Sequence, residues 1–168
     1  MPLNLLKKYN ELLDIISLPE EKKKASLYAV FIRDISFNSN FKYKNKQITP
    51  TPADGEIKME TLFTHLTTQV VDKTTRKREF DYHRSIRLHW VKFHIEEKKL
   101  DNILCFSVKE PEGNRTYIYD KDEKYVIVLE PLRNGNSYYL LTAYHVMGKD
   151  AERDKMIKKY KRRLSNIL

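Results

Sequence analysis

The sequence predicts an α+β fold: N-terminal helices, then a helix packed on a four-stranded antiparallel sheet, then a basic C-terminal helix. Three observations carry this. Apolar residues recur at helical spacing in the first hundred positions; β-branched and aromatic runs broken by hairpin-type connectors follow; and "AERDKMIKKYKRRL" near the end returns to a charged helical pattern. With 168 residues and 40% hydrophobic content, a single domain over 1–168 can bury a usable core.

Each element has its own warrant. Leu5, Leu6, Tyr9, Leu12, Leu13 and Ile16 lie at helical spacing, and "SLPEE" supplies a stop and a Ser17 cap with Pro19 and Glu20 behind it. Ala25, Tyr28, Ala29 and Ile32 mark the face of a second helix, so residues 1–35 read as a helical hairpin added to a core at 56–147. "FKYKNKQI" alternates as a short exposed strand, and "TPTPADGE" is loop chemistry. Met59, Leu62, Phe63, Leu66 and Val70 predict a helix, whose β-branched end "TTQVV" suits a strand equally well. The basic "DKTTRKREF" connects it to a helix over "FDYHRSIRLHWVKFHIEE", residues 80–97. Four strands follow, "ILCFSV", "RTYIYD", "YVIVLE" and "SYYLLTAYHV", joined as a meander by "EPEGN", "KDEK" and "PLRNGN". Residues 148–168 form the basic helix.

Composition narrows the function. A net charge of +9, with 33% charged residues, steers a chain toward polyanions, nucleic acid above all. One cysteine, Cys105, excludes an intramolecular disulfide and a cysteine-based zinc site. No stretch has the length of a membrane span, and "MPLNLLKKYNELLDII" carries charges that a signal peptide lacks. A cytoplasmic protein with no membrane partner is expected.

Several chemistries fit poorly. His89 and His94 stand five apart with no acidic residue at ligand spacing, so no metal site and no cofactor are expected. The four glycines form no phosphate loop, and neither Ser85 nor Ser107 sits in a nucleophile elbow. Phosphate binding by arginine and proton transfer by histidine remain. On a wheel over 80–97, His83, Arg87 and His94 interrupt the inward half, between Ile86, Trp90 and Phe93 on one side and Leu88, Val91 and Ile95 on the other. That is either a pocket-lining constellation or a charged helix with paired side chains. In the last strand, Tyr138, Leu140, Thr142, Tyr144 and Val146 share one face, and Tyr139, Leu141, Ala143 and His145 the other. Thr116, Tyr117, Thr142, Tyr144 and His145 are either satisfied strand residues or donors lining a cleft. Lys73, Arg76, Lys77 and Arg78, with Lys155, Lys158, Lys159, Arg162 and Arg163, are the candidate phosphate contacts.

The order "HLTT", a basic stretch, "FDYHRSIRLHW", "RTYIY", "YVIVLE" and "LLTAYHV" resembles the phage-encoded barnase, EndoU, colicin E/D and RelE-like nuclease superfamily over roughly residues 60–147. The resemblance implies a helical segment facing a four-stranded antiparallel sheet, and a metal-independent ribonuclease, often a toxin or mobile-element effector with a cognate inhibitor. Carried over, His65 falls in the "HLT" element, Arg84 and Arg87 in the helix, Thr116 and Tyr117 in the second strand, and Thr142 and Tyr144 in the last. His83 and His94 match no motif position. The expected activity is RNA cleavage through the substrate's 2′-hydroxyl, with an arginine pair on the phosphate and His65 or His94 moving protons. The alternative is a nucleic-acid-binding protein with a degenerate nuclease fold.

Overall fold

The computed structural model describes residues 3–168. Its centre is a six-stranded mixed sheet, and the four-stranded antiparallel sheet expected from the sequence is corrected accordingly. The four late runs are strands β5 (Ile103–Glu110), β6 (Gly113–Asp120), β7 (Tyr125–Pro131) and β8 (Ser137–His145), paired antiparallel in that order. Two more strands extend the sheet beyond β8. "FKYKNKQI" folds as a small hairpin, β1 (Lys42–Tyr43) and β2 (Lys46–Pro50). Lys44 and Asn45 both take positive φ at its turn, 50° and 66°, the backbone a tight two-residue hairpin requires. β2 then pairs parallel to β8 from Gln47 opposite Ser137 to Pro50 opposite Leu140. Beyond Leu140 the edge of β8 has no strand partner among the described residues.

Helices cover both faces. The larger core joins Leu27, Val30 and Phe31 of α1 (Glu20–Phe31), Leu62 and Leu66 of α2 (Met59–Thr67), and Trp90, Val91 and Ile95 to Ile118, Tyr125, Ile127, Leu129, Leu140 and Ala143 of the sheet. On the opposite face Phe106, Val108, Tyr117, Tyr119, Val126 and Val128 meet Met156 from the C-terminal segment. That segment is two short helices, α5 (Gly148–Glu152) and α6 (Lys155–Lys161), where one basic helix was expected.

The N-terminal helical hairpin is also corrected. Among the described residues before α1, only Leu3–Leu6 form a helical turn. The amide of Asn4 pairs in both directions with the backbone of Asp14, at 2.7 and 2.8 Å, and also reaches Ser26 at 2.8 Å. That closure replaces a helix with a loop in which Leu13 and Ile15 are buried while Leu12 and Ile16 are 42% and 74% exposed. The alternation, not the helical spacing, decides burial here. Ser17 binds Asp14 and does not cap α1, which has no side-chain cap.

Two further expectations change near the site. α2 ends at Thr67 and the chain continues as β3 (Thr68–Asp72), which pairs with β4 (Lys77–Phe80); the basic connector is thus a hairpin standing apart from the main sheet. Residues 80–97 are two helices, α3 (Tyr82–Ser85) and α4 (Trp90–Ile95), with the Asp81 side chain capping the Arg84 amide at 3.0 Å. Between them Arg87, Leu88 and Trp90 donate to carbonyls three residues back. Such turns advance about 120° per residue where an α-helix advances about 100°. The residues of α3 therefore leave the face on which a continuous wheel places them.

Candidate active site

The polar side chains gather where the edge of β8 is left open. A cleft of ≈ 420 Å³ is lined by Gln69 of β3, Asp81, His83 and Arg84 at the start of α3, Tyr144 and His145 at the end of β8, and Met147, Asp150 and Lys155 beyond it. A bulge in β8 brings this about. Register shifts between Val128 and Leu129 of β7, so that Leu140 pairs with Leu129 but Thr142 pairs with Val128, leaving Leu141 as the extra residue. A bulge reverses the alternation downstream of it. Tyr138, Leu140 and Ala143 thus pack with the larger core, and Leu141, Tyr144 and Val146 with the smaller one. The single-face assignment of Tyr138 through Val146 is corrected for that reason. Tyr144 and His145, on opposite faces, both reach a cleft that sits on the strand's edge.

Arg84 anchors this cleft. Its Nη1 donates to the carbonyls of His65 and Thr68 and to Thr142 Oγ1, each at 2.9 Å, and its side chain is 13% exposed. Thr142 Oγ1 also donates to the His65 carbonyl at 3.3 Å, so Thr142 helps to orient Arg84. The Tyr144 ring lies 5.6 Å from the guanidinium carbon, close enough for a cation–π contact. Asp81 approaches Arg84 Nε at 3.5 Å, but Nε makes no hydrogen bond among the described residues. Arg87 repeats the pattern: Nη1 donates to the His83 carbonyl at 2.7 Å, the guanidinium lies 5.3 Å from the Trp90 ring, and Nε has no partner among the described residues. Burial, before any other cause, lowers both guanidinium pKa values. Arg84 lines the cleft and Arg87 does not, and a buried Nε left without a partner among the described residues is unusual in a folded protein.

His145 is the best-placed proton carrier. Its Nδ1 stands 3.1 Å from the carbonyl of Glu123, an acceptor, so Nδ1 holds the proton and Nε2 keeps its lone pair. Burial, followed by the charge of Arg87, lowers its pKa below the ordinary 6.5. The ring is therefore neutral near pH 7, the state a general base needs. His83 is a second, exposed histidine on the same cleft.

The other residues singled out from the sequence divide. His65 lies beside the cleft, its carbonyl on Arg84 and its ring's Nδ1 buried without a partner among the described residues. Burial and then Arg78 and Arg84 lower the pKa of that ring. His94 is elsewhere: it is buried, with Nδ1 on the Trp90 carbonyl at 2.8 Å and Nε2 on Asp120 at 2.9 Å, and both nitrogens are taken. Thr116 is buried on the face of the larger core, where its hydroxyl joins Ser107 at 2.7 Å and donates to the Leu168 carbonyl at 3.3 Å. Tyr117 shares a face with Tyr144, but its hydroxyl donates to Glu110 at 2.9 Å. Thr116, Tyr117 and His94 thus stand outside the cleft because a partner inside the fold already holds each of them.

The cationic candidates also separate. Lys73, Arg76 and Lys77 are exposed on the β3–β4 hairpin, and Arg78 reaches back to Thr68 with its Nε at 2.8 Å. Burial, then the charges of Arg84 and Arg76, lower the Arg78 pKa. On α6, Lys158 is exposed, whereas Lys159 pairs with the Glu110 carboxylate, which Arg162 also contacts at 3.1 Å. Lys159 is consequently neutralised.

His145 was visible in the sequence as an end-of-strand histidine, and His83 as part of the wheel. The signal that would have joined them to Arg84 is the bulge, which the sequence does not announce. No protein-family model, no curated protein and no solved structure matches the chain. No helix among the described residues is long and apolar enough to cross a membrane.

Proposed function

We propose that this protein is a cytoplasmic, metal-independent endoribonuclease, related to the nuclease superfamily its motifs resemble, and that the cleft at the open edge of β8 is its active site. One observation carries the reading: His145, with its Nε2 lone pair free, lines this cleft together with Arg84 and His83, and Arg87 stands near enough for its charge to act on the His145 ring. In this mechanism His145 removes the proton from the ribose 2′-hydroxyl, which attacks the adjacent phosphorus. Arg84 and Arg87 take the negative charge that grows on the phosphoryl oxygens. The 5′-oxygen leaves with a proton supplied by His83, and a 2′,3′-cyclic phosphate remains on the upstream fragment. The hairpin cations Arg76, Lys77 and Arg78 hold the flanking phosphates.

The test is incubation of the purified protein with total cellular RNA, with and without EDTA, followed by end-group analysis. Fragments ending in cyclic phosphate in EDTA are expected. RNA retained intact on the protein would overturn catalysis and leave binding alone.

A further inference from the structure

We infer that Asp120, fully buried beneath the sheet's end, is a positioning residue that fixes the ring tautomer of His145 through the β6–β7 turn; the inference rests on the role proposed for His145. The link is a chain of short contacts. Asp120 closes β6, and its two carboxylate oxygens do different work. Oδ2 accepts from the Tyr9 hydroxyl at 2.8 Å and from His94 Nε2 at 2.9 Å, which hold the carboxylate from below. Oδ1 accepts from Lys99 Nζ at 2.7 Å and from the backbone amides of Asp122 and Glu123 at 3.0 and 3.2 Å. An aspartate that captures the amides two and three residues ahead sets the direction of the peptide planes in its turn.

The next plane is the one that matters. The Glu123 carbonyl, whose own amide Asp120 holds, is the group that accepts from His145 Nδ1 at 3.1 Å. Lys124 then takes a left-handed φ of 50° before β7 begins, a conformation that a side-chain-bearing residue keeps when its surroundings impose it. The Lys124 carbonyl also accepts from the Val146 amide at 2.7 Å, on the residue after the histidine. The turn thus grips the end of β8 at two successive residues, and Asp120 grips the turn. A carboxylate several bonds away decides which imidazole nitrogen faces substrate, as an outer partner does for a ligating histidine.

The experiment is multiple-bond proton–nitrogen NMR of the histidine rings at neutral pH, on the native protein and on Asp120→Asn, beside RNA-cleavage kinetics. Native His145 should be the Nδ1–H tautomer; the Nε2–H tautomer in the folded protein would overturn the inference at once. In D120N, His145 should become a mixture of tautomers. Its cleavage rate should fall about tenfold in kcat with KM unchanged, and the acid limb of its pH profile should move. Should D120N not fold, Asp122→Pro at the exposed turn removes the 3.0 Å amide bond and is read the same way. A tautomer and pH profile unchanged in a native-like variant would refute the link even if RNA is cleaved. A tautomer that responds while native protein cleaves no RNA would sustain the link and refute the ribonuclease reading.

Discussion

The cleft at the edge of β8 and the Asp120 cluster are built from the same residue types, yet their polar groups are treated in opposite ways. Asp120 takes five donors within 3.2 Å, and His94, Lys99 and Tyr9 each end on it. At the cleft, the buried Nε of Arg84, and that of Arg87 outside its lining, have no partner among the described residues, and the Nε2 lone pair of His145 is free. A satisfied buried network rigidifies a fold, whereas an unsatisfied one costs free energy that packing elsewhere must offset. Chemistry is to be sought where polar groups are left over: His94, the most buried histidine, is a strut, and half-buried His145 is the working group we propose.

The largest effect is expected for His145→Ala, for which cleavage should fall by about a thousandfold, within the usual range for loss of a general base. Its fold, read by circular dichroism, should be native. Next comes Asp120→Asn, which leaves buried His94 without its carboxylate and Lys99 with Asp122 alone; it should cost about 3 kcal/mol in urea unfolding, the scale for removing one member of a buried ion pair. A stability loss under about 1 kcal/mol would deny Asp120 its place as a strut. Arg87→Ala should lower kcat/KM by about a hundredfold with its denaturation midpoint little moved. Arg84→Ala, by contrast, should lose stability as well, since one nitrogen ties α2, β3 and β8 together.

How much of this was readable beforehand depends on the range of the interactions. β5 to β8 were legible because each is a β-branched or aromatic run joined to its neighbour by a short turn. β2 was not legible as part of the same sheet, because its parallel pairing with β8 joins Gln47 to Ser137 across most of the chain. The helical spacing of Leu5 to Ile16 was outweighed by the Asn4–Asp14 closure. Over 80–97 the wheel brought Arg87 out between two histidines, but the three-residue turns at Arg87 to Trp90 carried His83 and His94 to different places. Arg84 proves the more deeply engaged of the two arginines.

Smaller effects sharpen the contrast. The acid limb of the cleavage profile should lie below pH 6.5, because His145 must be neutral to act and its pKa is lowered; a limb above that value would argue against His145 as base. Replacing Arg76 and Lys77 together should weaken RNA binding and reduce the salt slope by about 0.7 for each single-strand phosphate that is no longer neutralised. Lys159→Ala should leave that slope unchanged, since Glu110 already neutralises it. Glu110 itself, although burial opposes ionisation, is lowered to about 2 by its hydrogen bonds to Lys159, Tyr117 and Arg162. A carboxylate with a depressed folded pKa contributes stability above its unfolded value of 4.5 and loses it as pH falls toward 2. Acid unfolding of Glu110→Gln should therefore show a weaker pH dependence across that window.

In the mechanism we propose, the cleft cleaves RNA through the substrate's own 2′-hydroxyl with His145 as base. It is tested most directly with a defined oligoribonucleotide in EDTA, compared with the same strand carrying a single 2′-deoxynucleotide at the cleaved position. A cyclic-phosphate product is expected from the first, none from the second, and none from either with His145→Ala. Cleavage of the deoxy-substituted strand at that position, or undiminished cleavage by the variant, would contradict it.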